Sequence, residues 1–282
     1  SGDDAEYQDE LYLGRNGTDN LYTLAHGSHN IHFEASVASM GGRRRIAIVN
    51  AAELRGRVED PLGELPALEF YQPYEILMKT RFGDWDAVLA MPEPKPDRLL
   101  GARALRHYAR GVAFARTGRE SLANRELAAL IGLRNRIVAR GRGPDEYPEF
   151  NLNPAQDVLA VATRVLAGRI RWLRGDRDLA LRLFREAVAR EAALKYDEPP
   201  PWYFPTSELL GAALLRSGRP AEAEDAFRAA LKVYPGDGWA LFGLAEALRV
   251  RGAPASAIAV AERAYARAWR WADRPLTLEM LL

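Results

Sequence analysis

The 282 residues contain no cysteine. Disulfides, thiol nucleophiles and thiolate metal sites are thereby excluded. That absence suits the cytosol and the periplasm equally. Lysine is scarce too, with four against 35 arginines. No window approaches 18 consecutive apolar residues, so no membrane-spanning helix is expected. The opening "SGDDAEYQDELY" is acidic where a signal peptide needs a basic and then an apolar run. Walker loops, GxGxxG, HExxH and GxSxG are all missing, which removes the common phosphate, dinucleotide, zincin and hydrolase signatures.

What is present is ordinary for a globular chain: 48% hydrophobic and 27% charged residues, enough for a sizeable core. The net charge of +1 hides an uneven distribution. Residues 1–100 carry 10 basic and 17 acidic groups, whereas residues 101–190 carry 18 basic, all arginine, and 9 acidic. A basic middle suits an acidic partner or nucleic acid, or simply solvated helix faces.

A repeat runs through the chain. In "ELLGAALLRSGRPAEAEDAFRAALKVYP" (208–235), Leu210, Gly211, Gly218, Ala223, Phe227, Ala230 and Pro235 recur at positions 7, 8, 15, 20, 24, 27 and 32 of a 34-residue unit. Positions 8 and 20 must be small where two helices of a hairpin cross, position 24 fills the gap, and Gly218 makes the turn. Gly111, Gly118, Ala123, Leu127 and Leu130 fit the same template, as do Gly168, Gly175, Ala180, Phe184 and Ala187. So do Ala35, Gly42, Ala47, Ala51 and Leu54, and Leu244, Ala245, Gly252, Ala257, Ala261 and Ala264. "YEILMKTRFGDWDAVLA" keeps the Gly83 turn but is one residue short, a degenerate unit. Proline-rich breaks at 59–66, 91–97, 141–154 and 196–205 mark long connections.

This pattern resembles the tetratricopeptide (TPR) repeat. It predicts an all-α, TPR-like α-solenoid, a right-handed superhelix of about six hairpins over residues 19–282, after an N-terminal extension (1–18). The expected units are 28–58, 63–91, 99–140, 155–195, 204–236 and 238–272. Through "HNIHF", "MGGR", "RFGDWDAVLAMPEP", "YDEPPPWYFPTSELLGAALLRSGRPAEAEDAF" and "GWALFGLAEAL", the chain further resembles long bacterial TPR proteins of poorly defined function. That resemblance implies the C-terminal half of a longer protein and a scaffold role.

In TPR proteins, positions 2, 5, 9, 12 and 13 of each first helix face a concave groove. The resemblance thus places His29, His32, Ser36 and Ser39 there, then Tyr108 and Arg116, Arg169 and Trp172, Glu208 and Arg216, and finally Trp239, Phe242, Glu246 and Arg249. Aromatic and arginine side chains suit a recognition surface. Trp202, with Tyr203 and Phe204, reads either as a plug over the apolar edge or as a pocket wall.

Three of the four histidines fall within seven residues: His26, His29 and His32. His29 and His32 are neighbours on one helix face. With Ser28 as N-cap, His26 is left in the preceding loop. The pair suits partner recognition in the groove, a transition metal completed by His26 or by Glu198, or an incidental surface or packing role. The leading expectation is a scaffold gripping a protein or peptide segment, with no cofactor, no membrane and no catalytic residue. A metal-dependent activity and nucleic-acid binding through the arginine-rich middle stand as alternatives.

Overall fold

The structure, a computed structural model, describes residues 21–141, 147 and 149–282. The expected N-terminal extension (1–18) lies outside the described residues. Thirteen α-helices are present among them, with no strand. They pair as six hairpins: α1 (Leu21–Met40) with α2 (Arg44–Glu59), α3 (Tyr74–Arg81) with α4 (Trp85–Ala90), and α5 (Leu100–Arg116) with α6 (Glu120–Arg140). Then come α7 (Ala155–Leu173) with α8 (Arg177–Ala192), α9 (Thr206–Arg216) with α10 (Pro220–Val233), and α11 (Gly238–Arg251) with α12 (Ala255–Ala268). A single turn, α13 (Leu278–Leu281), ends the chain. This is the all-α, TPR-like solenoid that the repeat predicts. No helix is long and apolar enough to cross a membrane among the described residues.

The turns show why the sequence folds this way. Gly42, Gly83, Gly118, Gly175, Gly218 and Gly252 all have φ between +71° and +83°. A side chain there would be strained. In each turn the residue after the glycine donates its N–H five residues back: Arg43 to Ala38, Asp84 to Lys79, Arg119 to Phe114, Asp176 to Arg171, Arg219 to Leu214 and Ala253 to Leu248. These bonds satisfy carbonyls that a helix end would otherwise orphan.

Packing follows the template. Ala35, Ala47, Ala123, Ala180 and Ala223 are fully buried at helix crossings. Phe184 fills the space left by Gly168. Phe227 fills the space left by Gly211 of its own hairpin and by Gly243 of the next. Two boundaries differ from expectation. The helix α1 starts by Leu21, so Ser28 is a buried mid-helix residue and His26 is helical, not in a loop. The degenerate second unit has a first helix of only eight residues, preceded by 3-10 turns at Pro61–Gly63 and Pro66–Tyr71.

The solenoid closes on itself. Trp239 of hairpin six donates its indole N–H to the Ser39 carbonyl of hairpin one at 2.9 Å. Asp273 donates its backbone N–H to the Gly42 carbonyl at 3.1 Å and accepts from Arg45 N at 2.7 Å. Arg274 donates to the Phe82 carbonyl. Gly238 has no Cβ because the Trp269 ring and the Met40 carbonyl occupy that space.

Candidate functional site: the inner face

The first helix of each hairpin faces inward, and closure brings non-neighbouring hairpins together there. Tyr108 of α5 and Tyr203, just before α9, share a hydroxyl–hydroxyl bond of 2.8 Å. Trp202 packs edge-on to Tyr108 with ring centroids 5.2 Å apart. Arg81 of α3 lies 4.0 Å from the Trp239 ring centre and 5.1 Å from that of Phe204. It pairs with Glu208 of α9 at 2.7 Å.

Burial sets the electrostatics here. It pushes the Glu208 carboxyl well up, Arg81 pulls it back, and neighbouring Asp237 pushes it up further. Asp237 itself caps α11, accepting from Trp239 N and Ala240 N at 2.8 and 3.2 Å. Burial pushes the Tyr108 hydroxyl up to about 12. Arg169 sits beside Tyr108 and Tyr203, lowered first by burial and also by Arg81, and its Nε is buried without a hydrogen-bond partner.

The expected open groove therefore needs correction. Tyr108, Trp202, Glu208 and Trp239 are buried, because the curvature packs them against other hairpins rather than presenting them to a partner. Ser36 and Ser39 are buried as well. Trp202 is buried in the interior, and with Tyr203 it lines a small cavity beside His32. Trp172 is half-buried with Arg177 stacked 3.7 Å from its ring centre. Phe242 packs on Tyr265, with ring centroids 5.5 Å apart. Arg249 is exposed and pairs with Glu246 and Glu262.

The histidines separate. His32 is only 6% exposed and meets Tyr74, Tyr71 and Phe70 edge-on, with centroids 4.2, 5.4 and 6.1 Å away. His29 is half-buried and His26 exposed. The expectation that His32 opens onto a groove fails because the 3-10 turn at Pro66–Tyr71 and the start of α3 fold over it. Among the described residues, no three His, Asp or Glu side chains group as metal ligands would, so His26, His29, His32 and Glu198 do not form such a set. Glu198 instead accepts from the exposed Tyr196 hydroxyl.

Burial, then the nearby His29, pulls the His32 imidazole down to about 3. The unfolded chain takes up that proton near pH 6.5, the folded chain does not, so acidification costs stability. Between pH 7 and 4.5 the loss through His32 is expected to be about 2–3 kcal/mol. Glu69 and Glu191, pushed up to about 7 mainly by burial, act oppositely and gain stability over the same range. The His32 share is the difference between wild type and His32→Leu in urea midpoints at the two pH values. Identical pH dependence in both proteins would rule out the buried neutral imidazole.

One inner-face feature was not anticipated from sequence. The C-terminal segment returns across the ends of α5 and α9. Arg116 donates to the Glu279 carbonyl at 2.7 Å, and Arg216 pairs with the Glu279 carboxylate. Leu276, Leu281 and Leu282 are buried. The signal was the apolar run "LTLEMLL" directly after Pro275, too leucine-rich for a solvated segment.

Residues 209–270, covering hairpins five and six, match the family model of the tetratricopeptide repeat. Repeats of this kind generally mediate protein–protein interactions. No curated protein matches the chain.

Proposed function

We propose that the chain is a protein-interaction scaffold whose inner face grips a short, leucine-rich segment bearing an acidic residue. One observation carries this reading. Arg116 and Arg216 stand in the last turns of the first helices of hairpins three and five, and both engage Glu279 of the returning C-terminal segment. The position is therefore built to hold a chain segment, with guanidiniums for its carboxylate and carbonyl and an apolar floor for its leucines. A partner segment of like chemistry would replace residues 275–282.

The test uses a chain ending at Arg274 and a synthetic peptide, PLTLEMLL, matching residues 275–282. Saturable binding in trans is expected, weakened at least tenfold by Arg116→Ala with Arg216→Ala. Circular dichroism checks that the shortened chain stays helical. If it unfolds, the full chain carrying Glu279→Arg should lose protection of residues 276–282 against protease while the rest stays intact. Neither binding in trans nor a change in tail protection would end this reading.

A further inference from the structure

Where the chain closes on itself, the end of α1, the α10–α11 turn and the end of α12 enclose an open groove of about 580 Å³. That lies within the roughly 300–1,000 Å³ typical of ligand clefts. The groove meets the inner-face cluster only at Asp237, and residues 275–282 do not line it. Its apolar part is unusually bare. Trp271 is 70% exposed, Val233 63% and Val37 42%, and all three line it. Three arginines stand around the same space: Arg43 after α1, Arg267 at the end of α12, and Arg270. None of them is paired with a carboxylate among the described residues. Arg270 lies 5.4 Å from the Trp271 ring centre, a cation on an aromatic face. The nearby acids are engaged elsewhere: Asp237 is buried and caps α11, and Asp273 accepts from Arg45 N.

We propose that this seam groove docks an acidic segment of a partner protein that inserts one aliphatic or aromatic side chain beside Trp271. Charge and shape select this occupant. Unpaired guanidiniums present forked donors that match carboxylates, and the one carboxylate lining the groove, Asp237, is buried and caps α11. Val37, Val233 and Met40 offer an aliphatic wall for one inserted side chain. A flat bilayer would meet only the rims of a cleft recessed between three elements. A nucleic-acid strand favours a continuous basic track with several stacking platforms, and here a single exposed tryptophan serves.

The probe is a fluorescein-labelled peptide in which a central leucine is flanked on each side by three glutamates, titrated against the full chain by anisotropy. Saturable binding is expected, weakening steeply between 0.05 and 0.3 M salt. Arg267→Glu with Arg270→Glu should lower affinity at least tenfold, and Trp271→Ala about fivefold or more. Replacing the peptide's leucine by glycine should have a similar effect to the tryptophan change. All three protein positions are exposed, so circular dichroism of the variants should match wild type. The full chain carrying Arg116→Ala with Arg216→Ala should bind the probe as well as wild type does, which separates this site from the inner face. Absence of saturable binding, or equal binding by the variants, overturns the proposal. So does displacement of the probe by oligothymidylate or by phosphatidylserine vesicles at concentrations where an unlabelled copy of the peptide fails.

Discussion

Replacing Phe227 with alanine is expected to destabilise the chain by about 3–5 kcal/mol, the range for removing a buried phenylalanine. Phe227 is fully buried on α10. Its ring occupies the space above two glycines in different hairpins, Gly211 on α9 and Gly243 on α11. Because both neighbours are glycines held in helices, neither can grow a side chain into the void, and backbone collapse is resisted by each helix's own hydrogen bonds. The loss should therefore fall toward the upper end. Urea unfolding followed by circular dichroism measures it. The reciprocal change, Gly243→Ala, places a methyl group into the same ring and should cost about 1–3 kcal/mol. A Phe227→Ala loss below 1 kcal/mol would mean that the ring does not span the two hairpins.

Removal of Arg81 should be nearly as costly. Arg81→Ala leaves Glu208 buried beside Asp237 without its counter-charge, and breaking a buried pair on one side costs about 3–5 kcal/mol. The guanidinium's packing over Trp239 and Phe204 is lost at the same time. The sign of the pH effect follows from Glu208. Its folded-state pKa is raised, so folding favours the protonated carboxyl and stability falls as pH rises above the unfolded value. Without Arg81 this slope should steepen, making the variant weaker at pH 8 than at pH 5. Arg81→Met combined with Glu208→Gln should recover most of the loss, because apolar or neutral replacement of both partners removes the desolvation cost together with the attraction. A single variant as stable as wild type at pH 8 would show that the pair contributes nothing.

How far the sequence carried the fold depends on which constraints are local. The turn glycines and the small residues at crossings act within one hairpin, so Gly83, Gly118, Gly175, Gly218 and their alanine partners could be placed from spacing alone. The second hairpin was legible only in part: its turn glycine survives, but Pro61 and Pro66 recast its approach as 3-10 turns that then cover His32. The inner face was misread for a different reason. Assigning groove positions assumes an open curve, and whether a curve closes depends on small rotations added over six hairpins, which no single repeat encodes. The residues that settle closure, Gly238 under Trp269 and Trp239 bonded to Ser39, look like ordinary repeat positions in sequence. Of the seam arginines, Arg43 is distant in the chain from Arg267 and Arg270 and becomes their neighbour only after closure.

That closure changes the kind of folding unit this chain is. In an open repeat array each hairpin touches only the next, stability adds along the line, and the ends are independent. Here the Trp239–Ser39 bond joins residues 200 apart and the Asp273–Arg45 bond joins residues 228 apart. Such contacts form only after nearly the whole chain has been ordered, so their loop entropy must be met before they give anything back. The first and sixth hairpins thus report on each other. Loosening α1 should raise hydrogen exchange in α11 and α12 while hairpins three and four stay protected, a pattern that a linear array would not produce.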